Sequence, residues 1–250
     1  MKRVLFSALL VGIIGVQAVP ATEAGDDEHV RITRAALDGK EVQLNDDYFI
    51  KIRLISKDEF TLKQKESTRL GHKPYEKIED ISKVQKILGN NFKVFTEFEK
   101  SVGGDITFEL TTYEMTFKDG TKKRFGQKDE IGFIAYYPEV EVMLFEGGHT
   151  SDYSVDLNDS TKVSERVGNP SRYSVSPDKK FRLNGYHTGQ GYYVNFLEKW
   201  NPLKKKYEFI GNLDEDFDYT WPWFWSNNHK AISWDYFFEN VYYEIEIVRK

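Results

Sequence analysis

Cysteine is absent from this 250-residue chain. That excludes disulfides, thiolate metal sites, a cysteine nucleophile and a lipid anchor on an N-terminal cysteine. Histidine is scarce: His29, His72, His149, His187 and His229, with no two at ligand spacing. His149 lies near Ser151 and Asp152, but a triad is assembled in space rather than along the chain. There is no excess of positive charge. Lys and Arg total 35 against 40 Asp and Glu, a net charge of −5, so no basic footprint for nucleic acid is present. Gly-x-Ser-x-Gly and His-Glu-x-x-His are both missing, which leaves serine-hydrolase and zincin chemistry without support. Gly189-Gln190-Gly191 has Val194 where a dinucleotide loop needs its third glycine, and reads as a turn between strands. These absences point to a protein without a cofactor and without a nucleophile. Glycoside hydrolysis stays open, because it needs only two suitably spaced carboxylates.

The first 24 residues read as a signal peptide. Lys2 and Arg3 precede the apolar run Val4–Val16, and Pro20 follows it. Small residues allow cleavage after Ala18 or Ala24, with Ala24 preferred because Pro20 then lies just upstream. The run reaches only about 20 Å as a helix, short of a bilayer core of about 30 Å. No later run is apolar enough to span a membrane. The expected location is therefore the periplasm or the exterior. With no disulfide available, the exported chain needs a hydrophobic core to hold it together.

The rest of the chain predicts a mainly β fold with one or two short helices. An α+β part covers 25–129 and an antiparallel β part covers 130–250. Gly25–His29 is polar and reads as a frayed start. Val30–Leu44 reads as a hairpin turning at Asp38-Gly39, and Tyr48–Ile55 as a strand. Ser56-Lys57-Asp58-Glu59 matches a capping box, with Ile55 and Phe60 placed as a hydrophobic staple, so a helix is expected from Lys57 to about Glu66. Ser82–Gln85 matches again, with a helix over Lys83–Leu88 stopping at Gly89. Strands follow at Phe92–Phe98, Ile106–Thr112 and Tyr113–Phe125, the last turning at Lys118–Thr121. After Glu130 the helix signals stop. Period-2 strands recur to Val248, divided by Gly147-Gly148, Asn158-Asp159, Ser176–Asp178, Gly189–Gly191 and Ser226–Asn228.

Two stretches share a plan. RYSVSPDKKFRLNGY (172–186) and FWSNNHKAISWDY (224–236) each run strand, Ser, turn ending in Lys, strand, then a polar step before an aromatic. The Ser176-Pro177-Asp178-Lys179-Lys180 segment resembles the inner hairpin of β-propeller-type blades. That resemblance implies two to three blade-like four-stranded units in the second half, with Ser176 and Ser226 opening equivalent turns in neighbouring sheets. An open stack of such sheets is the first expectation; a plain sandwich, or a curved sheet with a helix, is the other. Ser82–Gly89, with the strands after it, is similar to the small helix-plus-sheet modules of bacterial envelope assembly and β-lactamase-inhibitor proteins.

Aromatic residues are abundant late in the chain. All five Trp fall between Trp200 and Trp234, and Thr220–Trp225 reads TWPWFW. In a strand Trp221, Trp223 and Trp225 would share a face. Pro222 bars the stretch from a central ladder position. Such rings either fill a core or form an exposed platform for sugars or proteins. The candidate binding set is Trp221, Trp223, Trp225, Tyr219, Trp200, Trp234, His187 and Tyr186. The weak metal alternative is Asp214, Asp216 and Asp218, spaced like the start of an EF-hand; Tyr219 and Trp225 stand where that loop requires Gly and Glu. The functional expectation is an exported, non-enzymatic binding protein, of inhibitor or immunity type. Its aromatic surface would meet another protein, one of basic charge. The alternative is a carbohydrate-binding or carbohydrate-active protein. A groove lined by the Trp residues and paired carboxylates would favour sugar, and a flat aromatic patch would favour protein.

Overall fold

The computed structural model describes residues 36–69, 74–100, 107–213, 217–218, 220–235 and 241–250. The signal-peptide reading, the first arm of the Val30–Leu44 hairpin, His29, His72, Tyr219, Asp214 and Asp216 lie outside them. Among the described residues the fold is mainly antiparallel β with three short helices and four small sheets. No helix among the described residues is long and apolar enough to cross a membrane.

Alternating apolar residues in YFIKIRLI make β2 (Tyr48–Ile55), which pairs with β1 (Glu41–Gln43). Asp38-Gly39 does form a turn, with Gly39 at φ 80°, and it leads into this pairing. The other edge of β2 pairs with the last strand, β15 (Tyr242–Arg249). The sheet then continues through β14 (Lys230–Trp234) to β13 (Phe224–Trp225). The N-terminal strands thus complete a sheet begun by the C-terminal ones.

The second sheet is the meander β9 (Ser174–Val175), β10 (Phe181–His187), β11 (Tyr193–Asn201) and β12 (Lys206–Asn212). Its inner face and that of the five-stranded sheet enclose one core, with Ile50, Ile52, Leu183, Leu197, Trp223, Trp225, Tyr243 and Ile245 all buried. A second core lies between β3 (Phe92–Lys100), β4 (Thr107–Thr116) and β5 (Lys122–Gly126) on one side, and β6 (Gly132–Tyr137), β7 (Val142–Glu146) and β8 (Asp152–Asp156) on the other. Residues from both sides of position 130 contribute to each core.

Helix α1 (Lys57–Arg69) begins where the capping residues place it, and runs three residues past Glu66. Ser56 Oγ accepts from the Glu59 N–H at 3.2 Å, but Glu59 does not reach back; its carboxylate pairs with Arg53 and Lys63 instead. Phe60 sits against Trp234, Tyr242 and Phe224 on the outer face of the five-stranded sheet. Helix α2 (Ile81–Leu88) starts two residues before the expected Lys83, because Asp80 is the better cap: its Oδ1 accepts from the N–H groups of Ser82 and Lys83. Gly89, at φ 55°, ends it as expected.

Three further elements differ from the sequence reading. β4 is continuous through Thr112-Tyr113, where two strands were expected, since β3 and β5 pair along both of its edges. A single-turn helix, α3 (Ser164–Val167), falls in the half expected to lack helix. The strand expected at Arg172–Ser176 shrinks to β9, because Pro170–Arg172 forms a 3₁₀ turn opened by the Asn169 side chain.

The paired serines end equivalent strands. β9 and β13 each open a sheet, each has two residues, and each is followed by Ser and a turn. The Ser176 N–H donates to the Phe181 carbonyl, and the Ser226 N–H to the Lys230 carbonyl, both at 2.9 Å. The two strands are bound to one another, with Trp225 Nε1 donating to the Ser174 carbonyl at 2.8 Å and Ser174 Oγ to the Trp223 carbonyl at 2.9 Å. Ile78 bridges to Tyr136 and stands beside β6 in the same way. The inner edges of three sheets therefore meet around a cavity of about 340 Å³, lined by Tyr75, Lys77, Tyr137, Ser174, Trp223 and Phe224 among others.

Candidate functional site: an aromatic cleft around Tyr75

The turns that open the hairpins of the four-stranded sheet lie side by side. Ser176–Lys180 joins β9 to β10. In it, Asp178 Oδ1 accepts from Ser176 Oγ and from the Lys180 N–H. Asn201–Lys206 joins β11 to β12, held by Asn201 Oδ1 accepting from the N–H groups of Leu203 and Lys204. Tyr207 Oη donates to the Lys179 carbonyl at 2.9 Å, and the Trp200 N–H donates to the Lys180 carbonyl at 2.8 Å. The Trp200 backbone N–H and the Tyr207 hydroxyl thus tie both residues to the first turn, their rings edge to face at 5.2 Å.

Between these turns and Tyr75 the surface is concave. One lobe, about 720 Å³, is lined by Tyr75, Glu139, Ser176–Lys180, Trp200, Tyr207 and the edge of Trp225. A second, about 450 Å³, shares Tyr75, Glu139, Trp200 and Tyr207, and reaches down to Tyr173 and Arg182. The Tyr75 and Tyr173 rings meet edge to face at 5.8 Å.

The floor carries a buried ion pair. Arg182 Nε donates to Glu198 Oε2 at 2.6 Å, with side chains 8% and 1% exposed. Asn184 Nδ2 donates to the same carboxylate oxygen at 3.1 Å. The Arg182 guanidinium is sandwiched between the Tyr173 ring at 4.0 Å and the Tyr207 ring at 4.5 Å. Burial alone would pull its pKa down, but the Glu198 charge pushes it up on balance, so the guanidinium stays protonated. Burial also raises both tyrosines, Tyr207 to about 12.

The predicted Trp platform divides. Trp223 and Trp225, 5% and 3% exposed, are core between the two larger sheets; of the two alternatives, core or platform, the core one holds for them, and this removes them from the candidate binding set. Their indole N–H groups are spent internally, Trp223 on Asn195 Oδ1 at 3.3 Å and Trp225 on Ser174. The expected shared face fails because only Phe224 and Trp225 are strand; Pro222 stands outside the ladder. Trp221 is half-buried against the Arg172 guanidinium at 4.8 Å and lines the inner cavity. Trp234 stacks on Phe224, with centroids 6.1 Å apart and planes 12° apart, under α1. Trp200, 38% exposed, lines the cleft and is the most accessible of the five.

His187 and Tyr186 are half-buried at the far end of β10 from the lysine-bearing turn. His187 Nδ1 lies 3.0 Å from the Thr150 carbonyl, while the Asp152 carboxylate takes the His187 backbone N–H at 2.7 Å. The His187 ring is therefore not joined to Asp152 as a catalytic pair would be. Burial raises the Tyr186 pKa. Asp218 passes its backbone carbonyl to the Tyr193 N–H. Among the described residues no three His, Asp or Glu side chains gather as a metal site.

Sequence reasoning missed Tyr75, Arg182, Tyr207 and Glu139. Two signals were available: Lys179-Lys180 and Lys204-Lys205-Lys206 are cation runs in a half with an acidic balance, and each closes a turn beside an aromatic residue. Comparison of the chain with protein-family models, curated proteins and solved structures finds no match.

Proposed function

We propose that this is an exported, non-enzymatic binding protein whose ligand is a saccharide held in the cleft around Tyr75. The observation that carries the reading is a concave site with ring faces and edges from Tyr75, Trp200 and Tyr207, and with Lys, Asp and Glu side chains around them. Sugar rings present apolar C–H faces and polar rims, which such a surface matches; a few convergent polar groups then fix orientation. Glu139 and Asp178 both line the cleft, but Asp178 is engaged by Ser176 and Lys180, and Glu139 Oε2 accepts the Glu76 N–H. Their engagement in structural contacts favours binding over hydrolysis. Export rests on the Lys2-Arg3 start, the Val4–Val16 run and the small residues that follow. Mass spectrometry of the protein recovered from expressing cells, finding Gly25 as the first residue, would support it; an intact Met1 on a cytoplasmic pool would oppose it.

A glycan array probed with the purified chain tests the reading. Retention of one saccharide class, lost in Trp200→Ala while folding is intact, supports it. Equal retention by that variant removes it.

One observation favours a protein partner as the second reading. On the β3–β4 hairpin Phe98 and Phe108 are 71% and 50% exposed; the register, Phe98 opposite Glu109 and Phe108 opposite Glu99, sets them on opposite faces of the hairpin. An exposed Phe such as Phe98 can serve as an anchor in a protein interface. Capture of a partner abolished by Phe98→Ser and untouched by Trp200→Ala would support that reading over the first.

A further inference from the structure

We propose that the saccharide is anionic, a carboxylate-bearing sugar of uronic-acid type, and that the edge of Arg182 reads its carboxylate. This deepens the saccharide reading and rests on it. Arg182 is nine-tenths buried yet lines the deeper lobe of the cleft. Each part of its guanidinium is accounted for except one. Nε is held by Glu198, and the two faces are covered by Tyr173 and Tyr207. Among the described residues no hydrogen bond reaches the terminal nitrogens, and they are not among the sealed polar atoms without partners. What remains for the cleft is the terminal edge of the fork, fixed in rotation by the ion pair and the flanking rings. A planar fork so held matches a carboxylate, which it can bind through two parallel N–H···O bonds.

The rim supports the same charge. Lys179 and Lys205 sit at the apices of the two adjoining turns, at φ 60° and 52°. Neither ammonium has an ion-pair partner among the described residues, whereas Lys180, Lys204 and Lys206 are paired with Asp178, Glu208 and Asp159. Carboxylates also line the deeper lobe, but they are engaged: Glu141 by Lys118, Asp156 by Lys162, Asp159 by Lys206 and Glu139 by the Glu76 N–H. Among the described residues the cleft's unpaired ammonium groups, Lys179 and Lys205, thus outnumber its one carboxylate without a cation partner, Glu139, on a chain whose net charge is −5.

The test is calorimetry with a galacturonate hexamer, its fully methyl-esterified counterpart, and neutral cello- and chito-hexaoses. The acid should bind more than about tenfold tighter than the ester, since a charge-assisted bond is at stake. That preference should shrink as salt rises from low to about 0.5 M. Lys179→Gln with Lys205→Gln should weaken the acid several-fold and leave the ester unchanged. Arg182→Met alone would strand Glu198, so it is made with Glu198→Gln. Circular dichroism reports folding, and the folded double variant should lose the preference for acid over ester. If acid and ester bind alike, or only neutral hexaoses bind and do so through Trp200, the anionic assignment falls and the saccharide reading stands. If none of the four binds at millimolar concentration, the saccharide reading itself is overturned. Should Arg182→Met with Glu198→Gln not fold, the lysine pair and the acid-to-ester ratio still decide the assignment.

Discussion

Replacing Trp225 by alanine separates the core role of the Trp cluster from its binding role. Trp225 is 3% exposed, packs in the core between the five-stranded and four-stranded sheets, and spends its indole N–H on the Ser174 carbonyl at 2.8 Å. Truncating a buried aromatic of this size costs about 3–5 kcal/mol. A domain of this length is stable by about 5–15 kcal/mol, so about a fifth or more of its stability is at risk. With a urea slope of about 2–3 kcal/mol/M, the midpoint should fall by about 1–2.5 M. The melting temperature should fall by about 6–20 °C, at 2–4 °C for each kcal/mol. Trp225→Phe keeps most of the ring and loses the indole hydrogen bond, a cost of about 1–2 kcal/mol. Trp200→Ala, at a site 38% exposed, should cost no more than about 1 kcal/mol. Urea titrations of the three variants, followed by far-ultraviolet circular dichroism, give the comparison. If Trp225→Ala unfolds with the wild-type midpoint, or Trp200→Ala loses more than Trp225→Ala, the assignment of core and cleft residues is wrong.

Three further outcomes follow from the packing and the charges. Glu244 is buried on the outer face of the five-stranded sheet; burial raises its pKa, but the bonds from Lys63 and Arg53 outweigh that and hold it low. Its contribution is present above about pH 4.5 and lost as the pH falls through the depressed value, so Glu244→Gln should lower stability at pH 7 by about 1–3 kcal/mol and flatten the acid limb of a stability profile; an unchanged profile would refute the network. Burial raises Tyr207 from 10.0 to about 12, so the folded state keeps its proton longer than the unfolded chain does, and stability should decline between about pH 10 and 12. Tyr207→Phe should remove part of that decline in alkaline urea titrations, and an identical decline in the variant would oppose the placement of Tyr207. A Cβ on Gly211 would lie 2.6 Å from the Leu44 carbonyl oxygen, so Gly211→Ala should push the segment leading into β2 off β12 and cost about 1–3 kcal/mol by thermal melt; no loss would mean that this contact yields freely.

Local chemistry made much of the fold legible. Ser56 and Gly89 mark helix ends because capping is settled within a few residues, and Asp119-Gly120 turns where expected, with Gly120 at φ 85°. Ser176 and Ser226 share their place in the sheets because their turns follow from short-range hydrogen bonds. What stayed hidden was decided at long range. The pairing of β2 with β15 joins strands far apart in the sequence, and alternation in YFIKIRLI shows a strand without naming its neighbour. The Trp cluster was legible as either core or platform, because composition does not set exposure; packing between two sheets put Trp223 and Trp225 inside. Arg182 was invisible for the same reason: nothing within FRLNGY shows that it is buried, and only Glu198 on the adjacent strand makes its burial tolerable.

The most direct measurement is a crystal structure of the protein with a galacturonate oligomer at saturating concentration. The account predicts sugar density between Tyr75, Trp200 and Tyr207, with one carboxylate within hydrogen-bonding distance of the terminal nitrogens of Arg182. An empty cleft, or sugar bound elsewhere on the surface, would contradict it.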